Sequence, residues 1–182
     1  MASKRTILLG VTGSIAAYKA ADLASQLKKL GYDVFCVLTP NATQFITPLT
    51  LQTLSQHPVT VDLFAPGEGE WRPSHLPVAD VADLMVVAPA TANIIAKLAH
   101  GIADDALSTM ALALRSTAKV LIAPAMNSKM WDHPATRANV KLLQSRGVEF
   151  IGPGKGLLAC GDEGIGRLWD VDKIVSRIQH LA

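Results

Sequence analysis

The sequence predicts a single Rossmann-like α/β domain: a six-stranded parallel sheet, with the strand order 3-2-1-4-5-6, in three layers with helices on both faces. Short apolar, β-branched runs alternate with segments of helical periodicity along the whole chain. These runs are continuously apolar, which is typical of strands buried on both faces. A length of 182 residues fits one domain, so 1–182 is taken as a single unit.

Each element follows from its local pattern. The predicted strands cover residues 6–11, 32–38, 59–64, 83–88, 119–123 and 148–151. The predicted helices cover 17–30, short pieces of 41–55 broken at Pro48, a segment ending at His100, a segment starting at Asp104 or Asp105, 134–146 and 171–181. Glycines 31, 101 and 147 are expected to end three of these helices.

Two stretches are predicted to be loops. Residues 65–73 are rich in Gly, Pro and Glu, and residues 152–166 are rich in glycine. Between the first loop and the fourth strand, His75 to Asp80 should form a short helix. Pro77 falls in its first turn, where proline is tolerated.

Composition excludes several classes of function. The net charge is only +2, and the basic residues are scattered, so nucleic acid is not an expected partner. No apolar run reaches the roughly 18 residues of a membrane span. Two cysteines and an N-terminus without a signal segment predict a reducing, cytoplasmic setting. Apolar residues make up 49% and charged residues 18%, which favours burial of surface against further copies.

Polar residues gather where strands of the predicted sheet end. These are Gly13–Ser14, Thr39, Thr91 to Asn93 and Asn127, and ligands of such sheets bind at this edge. Gly10, Gly13 and Ala16 form G-x-x-G-x-x-A instead of the dinucleotide fingerprint, and no acidic residue follows the second strand. A mononucleotide phosphate therefore fits the first turn better than NAD. The alternative is a plain turn in which Ser14 only caps the helix.

The stretch 124–131 follows the fifth predicted strand. Pro124 should end that strand, and the amide of Asn127 then stands among Met126, Met130 and Trp131. A neutral amide in an apolar rim suits one polar group of a ligand. The alternative is a strand end whose methionines and tryptophan pack into the core.

Four motifs together resemble the flavin-containing cysteine decarboxylases, most closely the branch that acts on a phosphorylated pantothenoyl-cysteine in coenzyme A synthesis. The resemblance spans essentially the whole chain and rests on Gly13–Ser14–Ile15–Ala16, Pro89–Ala90–Thr91–Ala92–Asn93, Pro124–Ala125–Met126–Asn127–Ser128–Lys129–Met130–Trp131 and Leu158–Ala159–Cys160–Gly161–Asp162–Glu163–Gly164–Ile165–Gly166–Arg167. It implies FMN as the cofactor. It also implies homotrimers, sometimes joined into dodecamers, with active sites between subunits.

The resemblance also implies the chemistry and its residues. The substrate thiol is oxidised by FMN, CO₂ is lost, and the product is reduced again, so there is no net redox change. His75 matches the catalytic histidine, Asn127 the residue that holds the substrate carboxylate, and Cys160 the proton donor. The glycine-rich segment at about 152–168 would be a clamp over the substrate. Without the resemblance, His75 would be a solvated loop residue and Cys160 a small buried one.

The remaining site residues divide between cofactor and substrate. The cofactor set is Gly13, Ser14, Ile15, Thr39, Pro89, Ala90, Thr91, Ala92, Asn93, Ser108 and Ala125. The substrate set is Asn127, Met130, Lys129 and Arg167, with Lys129 and Arg167 as candidates for the substrate phosphate. Cys36 lies mid-strand and is predicted to be structural, and the histidines show no metal-ligand spacing.

Two other functions stay open. One is a peptidyl-cysteine decarboxylase of lantibiotic maturation, which releases the enethiol and needs no proton-donating cysteine; Cys160 argues against it. The other is a non-catalytic flavin-binding regulatory subunit, which often lacks one of the three catalytic residues. Bacterial relatives are often fused to a ligase that joins phosphopantothenate to cysteine, so fusion or association with such a domain is a further expectation.

Overall fold

A parallel sheet of five strands forms the centre of the molecule. The computed structural model describes residues 5–63, 75–158, 161 and 163–181, without the side chains of residues 75–77. The strand order is β2-β1-β3-β4-β5. The strands are β1 (Thr6–Val11), β2 (Asp33–Leu38), β3 (Leu84–Ala90), β4 (Lys119–Pro124) and β5 (Glu149–Phe150).

Helices connect these strands and cover both faces of the sheet, as the fold class predicts. They are α1 (Lys19–Lys29), α2 (Pro48–Ser55), α3 (His75–Val81), α4 (Ala92–His100), α5 (Ala106–Leu112), α6 (Ser128–Asp132), α7 (Pro134–Ser145) and α8 (Val171–Leu181). Two short 3₁₀ helices cover Ile15–Tyr18 and Pro40–Gln44. Across the described ranges, no helix combines the length and apolar character that a membrane crossing requires.

Each face of the sheet buries its own apolar core, because successive strand residues point to opposite sides. Ile7 and Leu9 of β1 lie in the core that α1, α2 and α8 cover, whereas Leu8 lies in the core beneath α4, α5 and α7. All three side chains are fully buried. Each such burial contributes about 1.5–3 kcal/mol, so the two cores fix the register of the sheet.

Gly10 sets how closely α5 approaches the sheet. A Cβ atom at this position would lie 2.4 Å from Cδ1 of Leu107. Leu107 is fully buried and belongs to the α4–α5–α7 core. The close packing of α5 on β1 therefore requires a residue without a side chain at position 10.

The prediction of a sixth strand at 59–64 is wrong; the described residues form five parallel strands. Thr60 makes one parallel bridge to Val37 of β2, where the predicted order places this segment. Pro58 has no N–H to extend the ladder before the bridge. After it, β2 ends at Leu38, and Pro40 starts a 3₁₀ helix that carries the chain away. Phe64 lies outside the described residues.

The second predicted loop is largely a hairpin. Strands β6 (Gly154–Leu157) and β7 (Glu163–Arg167) pair antiparallel as a separate two-stranded sheet. Lys155 lies opposite Ile165 in this ladder. The glycine content hid these strands, since glycine is depleted in strands. The loop predicted at 65–73 lies outside the described residues.

Candidate active site

A cavity of about 660 Å³ opens at the edge of the sheet where β1, β3 and β4 end. Its volume lies within the roughly 300–1,000 Å³ of small-molecule and cofactor sites. The lining residues come from the β1–α1 turn, the start of α4, the β4–α6 connection and the hairpin. They are Gly13, Ser14, Ile15, Ala16, Tyr18, Lys19, Thr91, Ala125, Met126, Asn127, Met130, Leu157, Leu158, Gly166, Arg167 and Leu168. The cavity thus joins residues of all four motifs.

The Gly13–Ser14 turn forms one wall. The Ser14 N–H donates to the Thr12 carbonyl at 2.8 Å. Its Oγ accepts from the Ala16 N–H at 3.3 Å, at the start of the helical segment that continues into α1. A Cβ at Gly13 would lie 2.6 Å from Cβ of Asn41, so packing against the segment after β2 requires glycine here. Ser14 therefore caps the helix, and it also faces the cavity.

Thr91, the N-cap of α4, also lines the cavity. Its Oγ1 accepts from the Ile94 N–H at 3.4 Å. Helix N-termini carry partial positive charge and backbone N–H groups, both of which favour an anion. The Gly13–Ser14 turn lines the same cavity, so this edge of the sheet suits a phosphate group.

Asn127 caps the short helix α6. Its Oδ1 accepts from the Lys129 N–H at 2.9 Å. The cap fixes the side chain at the cavity wall, and the donor half of the amide, Nδ2, is what it offers to a carboxylate. Trp131 is buried on the core side of α6, whereas Met130 is exposed and lines the cavity. The sequence predicted the residue but not its role as a helix cap.

The hairpin packs directly on the backbone beside Asn127. The Met126 N–H donates to the Gly166 carbonyl at 2.9 Å. A Cβ at Gly166 would lie 2.1 Å from the Met126 carbonyl oxygen, and one at Gly164 would lie 3.0 Å from Cβ of Ser128. These two glycines let β7 approach the 126–128 segment, and Leu157 and Leu158 then cover the cavity.

Among the described residues, two with cationic side chains line the cavity. Lys19 opens α1, and Arg167 ends β7. Arg167 Nη2 donates to Asp170 Oδ1 at 2.8 Å. This hydrogen bond holds the pKa of the Asp170 carboxyl below its usual value. Lys129, the other candidate for the substrate phosphate, is exposed and is not among the residues that line the cavity.

The other predicted cofactor residues lie at or near this edge. Ala125 lines the cavity, and its N–H donates to the Ala90 carbonyl at 2.9 Å. Thr39 is buried where β2 ends, and its N–H donates to the Val11 carbonyl at 3.0 Å. Pro89 is buried in β3, while Ala92 and Asn93 form the first turn of α4. None of these last four is in the cavity lining.

Ser108 lies in the capping box at the start of α5, where its N–H donates to Asp105 Oδ1 at 2.8 Å and its Oγ accepts from the Asp105 N–H at 3.2 Å. It is fully buried and is not part of the cavity lining.

The two remaining catalytic candidates are His75 and Cys160. His75 is the first residue of α3, which confirms the short helix with Pro77 in its first turn, but the side chain of His75 lies outside the description. Cys160 lies outside the described residues. Leu158, two positions earlier, lines the cavity.

Cys36 is structural, as predicted. It is buried in the core between α1 and the sheet, and this burial raises the pKa of its thiol to about 12. Within the described ranges, no group of three or more acidic, histidine or cysteine side chains could hold a metal ion.

Sequence reasoning missed Thr12, Lys19 and the hairpin leucines. Thr12 is 1% exposed, and its Oγ1 donates to the Pro89 carbonyl at 2.8 Å and accepts from the Thr91 N–H at 3.0 Å. Its place just before Gly13 was the available signal. A pairing of residues 77 positions apart leaves no trace in a local pattern.

Comparison with known proteins gives concordant matches. A family model described as Flavoprotein matches residues 1–182. A probable phosphopantothenoylcysteine decarboxylase of Streptococcus mutans is 48% identical over 176 residues, covering 97% of this chain and 98% of that protein. A coenzyme A biosynthesis bifunctional protein of Bacillus subtilis is 50% identical over 186 residues. That match covers 100% of this chain but only 44% of the bifunctional protein.

Solved structures agree with these relatives. A PPC decarboxylase mutant complexed with pantothenoylaminoethenethiol has a TM-score of 0.87 and 30% identity, covering 98% of each chain. An FMN-dependent cysteine decarboxylase, SpaF, has a TM-score of 0.82 and 32% identity, covering 100% of this chain and 99% of that one.

Proposed function

This chain belongs to the flavoprotein family, and from that premise we propose that it catalyses the FMN-dependent decarboxylation of phosphopantothenoylcysteine to phosphopantetheine in coenzyme A biosynthesis. The observation that carries the proposal is the cavity that joins an anion-favouring edge, an apolar wall and the amide of Asn127. The match to the Streptococcus mutans decarboxylase over nearly its full length supports the same activity.

The cavity fits FMN. The Gly13–Ser14 turn and Thr91 suit the phosphate, since both present the start of a helix. Met126, Leu158 and Leu168 line the cavity with apolar surface for a flat ring system. Ala125, with only a methyl group, allows the ring to come close to the backbone. When bound there, FMN supplies the reversible two-electron oxidation of the substrate thiol that makes loss of CO₂ possible.

Asn127 would hold the substrate carboxylate. Its Nδ2 group donates hydrogen bonds without adding a full positive charge that would stabilise the carboxylate against leaving as CO₂. Because Oδ1 caps α6, the amide has a fixed orientation. Met130 and Leu157 lie beside it in the cavity lining and would exclude water from the carboxylate.

His75 and Cys160 would move the protons. A neutral imidazole at His75 can take the thiol proton near pH 7, because the ordinary histidine pKa is about 6.5. The thiol of Cys160, with an ordinary pKa of about 8.5, can return a proton to carbon as the saturated product forms. Leu158, two positions before Cys160, lines the cavity, which supports the placement of Cys160 beside it.

Arg167 is the better candidate for the substrate phosphate. It lines the cavity together with Lys19, whereas Lys129 does not. A guanidinium can bind a phosphate through two parallel N–H donors, which favours arginine at such a site. Asp170, its present ion-pair partner, is exposed, so exchange of that carboxylate for a phosphate requires no buried charge to be uncovered.

The assembly is also a proposal. Ile15, Tyr18 and Met130 line the cavity but are 59%, 62% and 49% exposed in one chain. Apolar exposure around a site is typical of surfaces that meet a partner. A homotrimer, or a dodecamer assembled from four such trimers, would cover them and complete the site. Sedimentation of the purified chain measures this directly.

A second domain and the location complete the proposal. The chain spans about 44% of the length of its bifunctional Bacillus subtilis relative, which supports fusion or association with a ligase domain. The low cysteine count and the role of the relatives in coenzyme A biosynthesis support a cytoplasmic location.

Substitution of Cys160 tests the chemistry. The purified protein should be yellow from bound flavin. Cys160→Ser should still release CO₂ but yield the unsaturated enethiol and leave the flavin reduced, because the hydroxyl is a far weaker acid than the thiol. Cys36→Ser is the matched control and should give the saturated thiol. Normal product from Cys160→Ser would exclude Cys160 as the donor, and a protein that binds no flavin would overturn the proposed function.

A further inference from the structure

The hydroxyl of Thr12 joins two segments of the cavity wall. Thr12 directly follows β1, and its Oγ1 donates to the Pro89 carbonyl at 2.8 Å. The same oxygen accepts from the Thr91 N–H at 3.0 Å. The side chain is 1% exposed, so water does not compete for either bond. One hydroxyl thus serves as donor and acceptor to the end of the neighbouring strand.

This bridge continues the sheet where the backbone ladder stops. The register of β1 and β3 runs from Ile7 opposite Leu84 to Gly10 opposite Val87. Two residues later, Pro89 has no N–H and cannot donate to a neighbouring strand. The Thr12 hydroxyl supplies a donor to the Pro89 carbonyl and an acceptor for the Thr91 N–H, two backbone groups that lie beyond the end of the β1–β3 ladder.

Both ends of the bridge belong to the phosphate-favouring edge. Gly13 and Ser14 follow Thr12 immediately, and Thr91 caps α4; all three line the cavity. The Thr12 carbonyl also accepts from the Ser14 N–H at 2.8 Å. Thr12 is therefore bonded to both walls, and its position sets the distance between them.

We propose that Thr12 is a positioning residue for the cofactor: its hydroxyl holds the Gly13–Ser14 turn and Thr91 at the separation that the FMN phosphate requires. This inference rests on the proposed function, since it assumes that FMN binds in the cavity. Thr12 is not itself in the cavity lining and acts through its neighbours.

The test compares three variants for FMN affinity and for thermal unfolding. Thr12→Val keeps the shape and removes the hydroxyl, Thr12→Ser keeps the hydroxyl, and Thr136→Val changes a threonine that is buried in α7, outside the cavity lining. The Kd of FMN is measured by dilution of the flavin-loaded proteins, with release followed by fluorescence. If Thr12→Val does not fold, Thr12→Cys is measured in its place, because a thiol forms only weak hydrogen bonds.

We expect the Kd to rise about tenfold or more in Thr12→Val, because two buried polar groups lose their partner beside the ligand. Thr12→Ser and Thr136→Val should stay within about threefold of the parent, even where Tm falls. An unchanged Kd in Thr12→Val, with Tm lowered as in Thr136→Val, would overturn the proposal and leave the proposed function intact. A parent protein that binds no FMN would overturn both.

Discussion

At the scale of single residues, Asn127 shows how one amide meets two needs. Its acceptor oxygen caps α6 at the cavity wall, and under the proposed function its donor nitrogen would orient the substrate carboxylate. The helix cap does not compete with ligand binding, because it uses the Oδ1 oxygen, which would repel a carboxylate. The two halves can therefore be separated by substitution.

Asn127→Asp should abolish activity while the fold persists. Aspartate is as good an N-cap as asparagine, so α6 keeps its start. The substrate carboxylate, however, loses a donor and faces a second negative charge. We expect kcat/KM for phosphopantothenoylcysteine to fall at least about 100-fold, with Tm and flavin content unchanged.

Asn139→Asp is the matched control for this charge change. Asn139 lies on α7, and its Oδ1 pairs with the His100 ring at 2.9 Å, remote from the cavity lining. It should retain full activity. If Asn127→Asp also retains most of the activity, the amide does not hold the carboxylate.

At the scale of elements, the hairpin matters because it reaches the cavity through close backbone contact. The Gly166 carbonyl is bonded to the Met126 N–H, and Gly164 lies against Ser128. Docking of this kind depends on the missing Cβ atoms, whereas the outer strand β6 has ordinary space around it.

Gly166→Ala should displace the hairpin. The new Cβ would lie 2.1 Å from the Met126 carbonyl oxygen, so the backbone must move. Overpacking of this kind costs about 1–3 kcal/mol, which predicts a KM about tenfold higher or more. Flavin affinity should fall by a smaller factor than KM rises, because the Gly13–Ser14 turn and Thr91, which suit the FMN phosphate, lie outside the hairpin, whereas only part of the apolar wall for the ring moves with it. Steady-state kinetics and flavin titration measure both.

Gly154→Ala is the control on the same hairpin. Its Cβ would come no closer than 3.6 Å to Arg167 and Trp169, so KM should stay within about threefold of the parent. An equal rise of KM in both variants would indicate a general loss of hairpin structure and contradict the docking role of Gly166.

The start of α5 combines a helix cap with a buried ion pair. Lys97 Nζ lies 2.6 Å from Asp105 Oδ2 and also contacts Asp104, which ties α4 to α5. The side chains of Lys97 and Asp105 are 15% and 7% exposed. Burial alone would lower the pKa of Lys97, but its hydrogen bonds to the two carboxylates outweigh burial, and the pKa lies above its usual value.

Asp105 should stabilise the fold in a pH-dependent way. Burial tends to raise its pKa, but the hydrogen bonds from Lys97 and Ser108 outweigh burial, so the pKa lies below the usual 3.8. A lowered pKa in the folded state means that its stabilising effect is present above pH 3.8 and lost as the pH falls through the folded value.

Two substitutions separate the cap from the charge. Asp105→Asn keeps an oxygen for the cap and should cost about 1–2 kcal/mol at pH 7; Asp105→Ala removes both and should cost about 2–3 kcal/mol. The difference between the parent and Asp105→Asn should shrink near pH 3. Urea unfolding at both pH values measures this, and a difference that is independent of pH would refute the role of the charge.

At the scale of the whole molecule, continuous apolar runs that alternate with helical periodicity predicted the parallel sheet and its two helical layers, but with six strands where the described residues form five. The prediction of a sixth strand was wrong because Pro58 and Pro40 limit the pairing of this segment to Thr60. A count of β-branched residues does not reveal that limit. The hairpin was not predicted, because its strands are rich in glycine. Both errors lie where backbone pairing, and not side-chain pattern, decides the structure.

The site was predictable to a similar degree. Strand ends showed where Gly13, Thr91 and Asn127 would gather, and the cavity joins all three. Sequence alone did not show the Thr12 bridge or the docking of Gly166, because both join residues that are distant along the chain. Ser108 lies instead in the capping box of α5, three positions after the N-cap residue Asp105.

One assay tests most directly whether the substrate is phosphopantothenoylcysteine. The flavin-loaded protein is incubated with phosphopantothenoylcysteine and, in parallel, with a peptide that ends in cysteine, and the products are resolved by mass. We predict that phosphopantothenoylcysteine loses CO₂ and becomes the saturated thiol, whereas the peptide is turned over far more slowly. Faster decarboxylation of the peptide, or no decarboxylation of phosphopantothenoylcysteine by the yellow protein, would contradict this prediction.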